Sequence, residues 1–191
     1  MALMMTPTLP ALSAKALIAL AKARPGERVY GAAGIGNLTH LSAELYSQTT
    51  GIKLVHAPYK GSTPAWINLI SGQVVLMFTT MQGVAPHFAS GKLRLMATCG
   101  LQRTAAFPQT PTLLESGYPG LVMTGWSGLL APAGTPADIV QKLSREVNRH
   151  LSTAEIRERM ASQGSESAPS TPEAFAAFIN AEAAKWSMRT T

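Results

Sequence analysis

Apolar positions recur along this chain with two periods, one of about 3.6 and one of 2, and the alternation between them sets out the elements. Leu17, Ile18, Leu20 and Ala21 fall at helical spacing; Ser13 can cap that helix and Pro25-Gly26 stop it. "RVYGAAG" then reads as a short buried strand running into a glycine turn. From Asn37 a second helix carries Leu38, Leu41, Leu45 and Tyr46 on one face and ends near Gly51, and "IKLVHAP" supplies the next strand. Strand, glycine turn, helix and strand make a βαβ unit, and the pattern repeats. A strand ends at Pro58, Ser62 or Thr63 caps, and Pro64 sits in the first turn. Ala65, Trp66, Leu69 and Ile70 form the apolar face, and Gly72 closes the helix.

Further on, "QVVLMFTT" and "KLRLMATC" predict two more strands, separated by a short segment around Pro86 to Ser90. The stretch from Gly100 to Pro119 is rich in Pro, Thr and Gly with little periodicity; it predicts an ordered loop with one helical turn near Leu113 to Ser116. "LVMTGWSGLLAPAGTP" looks like a long strand leading into a Pro-Gly turn. The remainder predicts three helices, Asp138 to Leu151, Thr153 to Gln163 and Pro172 to Met188. Strands alternating with helices of about ten to fifteen residues predict an α/β fold, a mainly parallel sheet flanked by helices. There is no fixed-period repeat and no low-complexity tail.

Composition narrows the class. The 191 residues suffice for one medium domain or two small ones, and 46% hydrophobic against 14% charged residues can build a core. The net charge of +6 favours anionic partners in general. Its basic residues are scattered in ones and twos without interleaved aromatics, which argues against nucleic acid. The single cysteine, Cys99, excludes an internal disulfide and leaves no thiol pair for zinc or redox chemistry. "MALMMTPTLPALSA" lacks a basic start, and two prolines interrupt its apolar stretch, so it does not read as a signal peptide.

Two loops carry the candidate chemistry. "GAAGIGN" and "YKGSTP" each precede a helix, which puts free backbone N–H groups from two helix N-termini at the carboxyl edge of one sheet, a setting for a carboxylate or phosphate. Neither loop is a nucleotide fingerprint: the first spaces its glycines G-x-x-G-x-G, and Lys60 precedes its glycine where a P-loop lysine would follow one. "GWSGL" misses the nucleophile elbow by one position, so Ser127 reads as a strand residue. His40, His56, His87 and His150 have no partners at metal-ligand spacing, and Asp138 is the only aspartate. No catalytic constellation emerges, which favours a binding protein over an enzyme.

The order "AGIGNLTHLSAELY", "VHAPYKGSTPAWINLISGQV", "GKLRLMA", "FPQTPTLLESGYPG" and "WSGLLAPAGTP" strongly resembles the tripartite tricarboxylate transporter receptors, the Bug or TctC family, from about Thr6 to the last helix. The resemblance implies a type II periplasmic-binding-protein fold, in which two α/β lobes close over a small organic acid and present it to membrane permease subunits without chemistry. It further implies a periplasmic location and no cofactor. Carried over by motif, the turn Gly34, Gly36 and Asn37 and the loop Tyr59, Lys60, Gly61, Ser62 and Thr63 would form one half of the pocket. Thr79 and Thr80 would line the side that selects among ligands, and Lys60 would sit at the rim or bias the local field. Residues 1–122 would be the ligand-binding lobe, with 123–191 the hinge strand, Val122 to Ala131, and the C-terminal helices of the other lobe.

Departures from the pattern are expected to matter. Asn37 stands where serine or threonine is usual, and Val75 where an aspartate is usual. The chain starts after the leader and the glycine-rich loop of the other lobe that the resemblance leads one to expect, so closure and affinity would be impaired. Ile139, Val140, Leu143, Val147, Ile156, Phe175 and Phe178 would then expose an apolar face or take a partner chain, predicting self-association or a loosely held C-terminal half. A ligand-sensing regulatory domain on the same scaffold is the second reading, and a carboxylate-directed enzyme the third.

Overall fold

The computed structural model describes residues 1–81 and 84–187. It separates into two compact units, Met1–Gly125 and Trp126–Thr191. Unit 1 is built on a five-stranded sheet of β1 (Ala2–Met5), β2 (Arg28–Ala32), β3 (Leu54–Pro58), β4 (Leu76–Thr79) and β5 (Arg94–Thr98), in the order β3-β2-β4-β1-β5. Around it lie α1 (Ala14–Ala23), α2 (Leu38–Thr50), α3 (Ser62–Ile70) and the short α4 (Ala85–Ala89). β2 pairs in parallel with both β3 and β4, the arrangement the alternating pattern predicts.

β1 is the element the sequence pattern does not reveal. It runs antiparallel between β4 and β5, with Ala2 opposite Thr79 on one side and Thr98 on the other. All four residues are fully buried. Met, Ala and Leu are ordinary helix formers, and a strand covered on both faces shows no alternation to mark it. The sheet is therefore mixed, with four strands of one direction and one reversed strand, β1, inserted between β4 and the edge strand β5.

Strict alternation along β2 and β4 sends residues to two covered faces. Phe78 meets Tyr46 of α2, ring centroids 5.3 Å apart. On the other face Met77 and Met4 join Ala65 and Leu69 of α3 in one buried cluster. Each of these large side chains withdrawn from water contributes about 1.5–3 kcal/mol.

The helix ends show what the local sequence can and cannot specify. Ser13 Oγ accepts the Ala16 N–H and Asn37 Oδ1 the Thr39 N–H, both as N-caps, and Gly51 closes α2 in the left-handed conformation. α3 departs from expectation: neither Ser62 nor Thr63 caps it, and Gly61 holds the N-cap position without a side-chain bond. Gly61 N–H is tied to Ala33 C=O at 3.2 Å, which starts the helix one residue early. Its φ of 108° and ψ of 172° suit glycine, and Pro64 falls third in the helix, where its lacking N–H costs no bond.

Between β5 and the unit boundary the loop is ordered, as predicted. Glu115 accepts from the Thr112 N–H and from Arg103 Nε, and these contacts hold its carboxyl below the usual carboxylate range, the Thr112 amide most of all. The helical turn near Leu113 to Ser116 is a hydrogen-bonded turn, Ser116 N–H to Thr112 C=O, followed by a 3-10 turn at Pro119–Leu121. Cys99 is wholly buried beside it, which pushes its thiol up to about 12.

The strand expected over Val122 to Ala131 is not formed. Met123 N–H reaches Cys99 C=O at 2.8 Å, but no ladder follows and the backbone carries no strand. An apolar run becomes a strand only where a neighbour supplies hydrogen bonds, and none does so here among the described residues.

Unit 2 holds α5 (Ala137–Leu151), α6 (Ala154–Ser162) and α7 (Pro172–Ser187); Met188, the expected end of the last helix, lies outside the described residues. Asn148 ties α5 to the segment before α7, its amide donating to Ser170 C=O and accepting the Ser170 N–H. Trp126 packs edge-on against Phe175 and Phe178. Gly128 passes so close that an added Cβ would sit 2.1 Å from the Phe175 ring. No residue of α5 or α6 is buried, and Ile139, Leu143 and Phe178 are 44%, 56% and 40% exposed.

Candidate functional site

Because β2 and β3 are parallel, with Ala32 opposite Pro58, their carboxyl ends deliver residues 33–37 and 59–63 to the same sheet edge. The two loops are bonded to each other: Tyr59 N–H donates to Ala32 C=O at 2.9 Å and Gly61 N–H to Ala33 C=O at 3.2 Å. Ala33 N–H in turn donates to Thr39 Oγ1 at 2.8 Å, fastening the first loop to α2. The sequence-predicted residues Gly34, Gly36, Asn37, Tyr59, Lys60, Gly61, Ser62 and Thr63 are thus brought together.

What the edge offers is a set of donors. Leu38 N–H at the start of α2, and Ser62 and Thr63 N–H at the start of α3, have no partner among the described residues. The Ser62 and Thr63 hydroxyls are likewise unspent, a consequence of the cap they do not make. Unpaired amides and the positive ends of two helix dipoles suit a carboxylate. Lys60 is exposed beside them and Ile35 projects between Gly34 and Gly36, 80% exposed. Tyr59 has a different part, since its half-buried ring packs on the α3 side of the core.

The β4 end separates the two threonines. Thr80 is exposed at the same edge, whereas Thr79 is buried and its hydroxyl accepts the Trp66 Nε1–H at 3.4 Å. Thr79 is therefore withdrawn from the pocket side expected of it; strand alternation turns it beneath α3.

Next to the first loop lies a cluster that sequence spacing does not announce. His56, opposite Tyr30 in the β2–β3 register, stacks on it at 4.9 Å and meets His40 of α2 at 4.3 Å. Tyr30 donates its hydroxyl to Glu44, one helical turn after His40. Burial and the Glu44 carboxylate push the Tyr30 hydroxyl far above its ordinary value. Burial first, and the neighbouring His40 second, hold His56 below the usual imidazole range, against a smaller opposing pull from Glu44. His56 Nε2 is buried without a partner, and His40 Nδ1 accepts the Gly36 N–H at 3.4 Å. Only the strand register joins these residues; a helix spacing of four from His40 to Glu44 was the one local signal. Among the described residues no group of three or more His, Cys, Asp or Glu could hold a metal ion.

The family model of the tripartite tricarboxylate transporter family receptor matches residues 1–189. Protein BugT of Bordetella pertussis is 38% identical over 184 residues, 96% of this chain and 56% of that protein. Among solved structures, Rhodopseudomonas palustris Rpa4515 with adipate superposes with a TM-score of 0.95 at 32% identity, covering 98% of this chain and 63% of that one. MatC of the same organism, with bound malate, gives 0.92 at 25% identity, covering 100% and 66%. The fold is accordingly of the periplasmic-binding-protein type shared by these receptors. The chain spans about half the length of the curated relatives it matches. On the match over residues 1–189, and on a fold shared with receptors at up to 0.95, the chain belongs to the tripartite tricarboxylate transporter receptor family.

Proposed function

We propose that this chain is the cradle lobe of an extracytoplasmic receptor that binds a small organic dicarboxylate, without altering it, for hand-over to membrane permease subunits. The observation that carries the reading is the pair of cross-bonded loops, which leaves the Leu38, Ser62 and Thr63 amides without an acceptor among the described residues at one sheet edge. Adipate and malate, the acids held by two similar receptors, support a small dicarboxylate as the class of solute. In this reading Gly34, Gly36, Asn37, Lys60, Gly61, Ser62, Thr63 and Thr80 face the solute, while Tyr59 and Thr79 hold the loops in place. Residues 1–122 form the lobe, and 123–191 supply the hinge segment and the C-terminal helices of the other. The location is periplasmic, and no described helix is long and apolar enough to cross a membrane. The backbone donors and hydroxyls of the cradle support binding without chemistry.

Thermal denaturation of the purified chain with and without adipate or malate tests this. At 100 times its dissociation constant a solute adds about 2.7 kcal/mol of stability. Stabilisation of the parent chain that is lost in Gly61→Asp, which places a carboxylate at the cradle, is expected. A chain indifferent to every di- and tricarboxylate tried would remove the reading.

A further inference from the structure

The histidine pair lies where it can act on the cradle. A donor amide can be accepted only by an unprotonated ring nitrogen, so the contact from Gly36 N–H fixes His40 with Nδ1 free of hydrogen. A proton on Nδ1 would convert that acceptor into a donor facing another donor, and the bond would open. Gly36 N–H would then be one more unpaired amide among those at the edge, beside a new positive charge.

We propose that His40 is a proton-operated clasp on the cradle: neutral, it keeps the Gly36 amide to itself, and protonated, it surrenders that amide to a bound carboxylate. This rests on the cradle reading above. The surroundings disfavour the proton on His56. From β3, His56 is the ring in contact, 4.3 Å away, and burial together with the His40 charge disfavours its protonation. From β2, Tyr30 stacks at 6.3 Å with its hydroxyl committed to Glu44. Glu44, on α2 itself, is the one anion of the cluster. β4 and the Pro119–Leu121 turn, also packed on α2, carry no titratable side chain. Imidazole is the side chain whose ordinary charge change falls between pH 5 and 8, which sets the range of the test. At the N-terminal end of α2 an imidazolium is opposed by the helix dipole, and an arriving carboxylate cancels that opposition. Solute and proton therefore each favour the other's binding, as linkage requires.

The test uses malate as probe, an acid that stays ionised over the range employed, and the parent chain labelled with nitrogen-15. In the solute-free parent, the Gly36 amide resonance is expected to shift between pH 8 and pH 6 along the same curve as His40 Nδ1. By calorimetry malate is expected to bind about tenfold tighter at pH 6 than at pH 8, within the usual range of site-to-site coupling. His56→Phe should retain that gap, and His40→Leu should shrink it to under about twofold by leaving the amide free at both pH values. A Gly36 resonance indifferent to pH in the parent overturns the clasp without recourse to any variant. So does malate binding equally at both pH values, which leaves the solute reading intact, or a gap that survives in His40→Leu. Failure of malate to bind at either pH removes the solute reading, and the carboxylate half of the clasp with it, even where Gly36 and His40 titrate together.

Discussion

Asn37 illustrates how one residue serves both the fold and the site. Its Oδ1 accepts the Thr39 N–H, and Thr39 Oγ1 takes the Ala33 N–H, so a single cap holds the helix start and the glycine loop in one piece. Loss of an N-cap side chain costs about 1 kcal/mol. Asn37→Ala is expected to lower unfolding stability by about that amount in urea and to weaken solute binding further, because the loop loses its tether. Serine there would keep the cap. A variant as stable as the parent would mean that the Thr39 amide finds another acceptor at no cost. Asn37 differs from the serine or threonine expected of the family, yet all three residue types carry the side-chain oxygen that the position requires.

Among the elements, β1 has the most at stake. Met4 is fully buried between β4 and β5 and joins the cluster that seats α3. Met4→Ala is expected to cost about 2–5 kcal/mol. Melting temperature would fall by several degrees for each kcal/mol lost, and a drop of under a degree would show that the strand contributes little to the sheet. This strand also marks the limit of what local pattern conveys. α2 was legible end to end because its signals are local: a cap at Asn37, an apolar stripe and Gly51 beyond it. The two cradle loops were legible for the same reason, as glycines ahead of helical stripes. β1 is four helix-forming residues that become a strand only through partners distant in sequence. Residues 122–131 show the opposite case, an apolar run with no partner strand. The His40–His56 contact depends on the register of β2 against β3, which no single segment encodes.

At the scale of the whole molecule the apolar face of α5 and α7 sets the behaviour in solution. Ile139 and Leu143 of α5 and Phe178 of α7 stand open to solvent. Such a face favours association of copies. Light scattering on the eluting chain is expected to show a species larger than the 20.2 kDa of one copy at micromolar concentration, reverting to one copy in Ile139→Glu with Leu143→Glu. A parent chain that elutes at one copy throughout would leave that face without a partner.

The reversed strand between β4 and β5 also governs timing. Residues 2–5 leave the ribosome well before their neighbours on either side, 76–79 and 94–98, so the sheet stays split until the last strand has emerged. Until then an apolar tetrapeptide and the inner edges of two strands are open to any passing chain. A slow-folding nascent polypeptide of this kind is the natural client of a holding chaperone, and its yield in a host cell is expected to follow the supply of such chaperones more closely than its equilibrium stability.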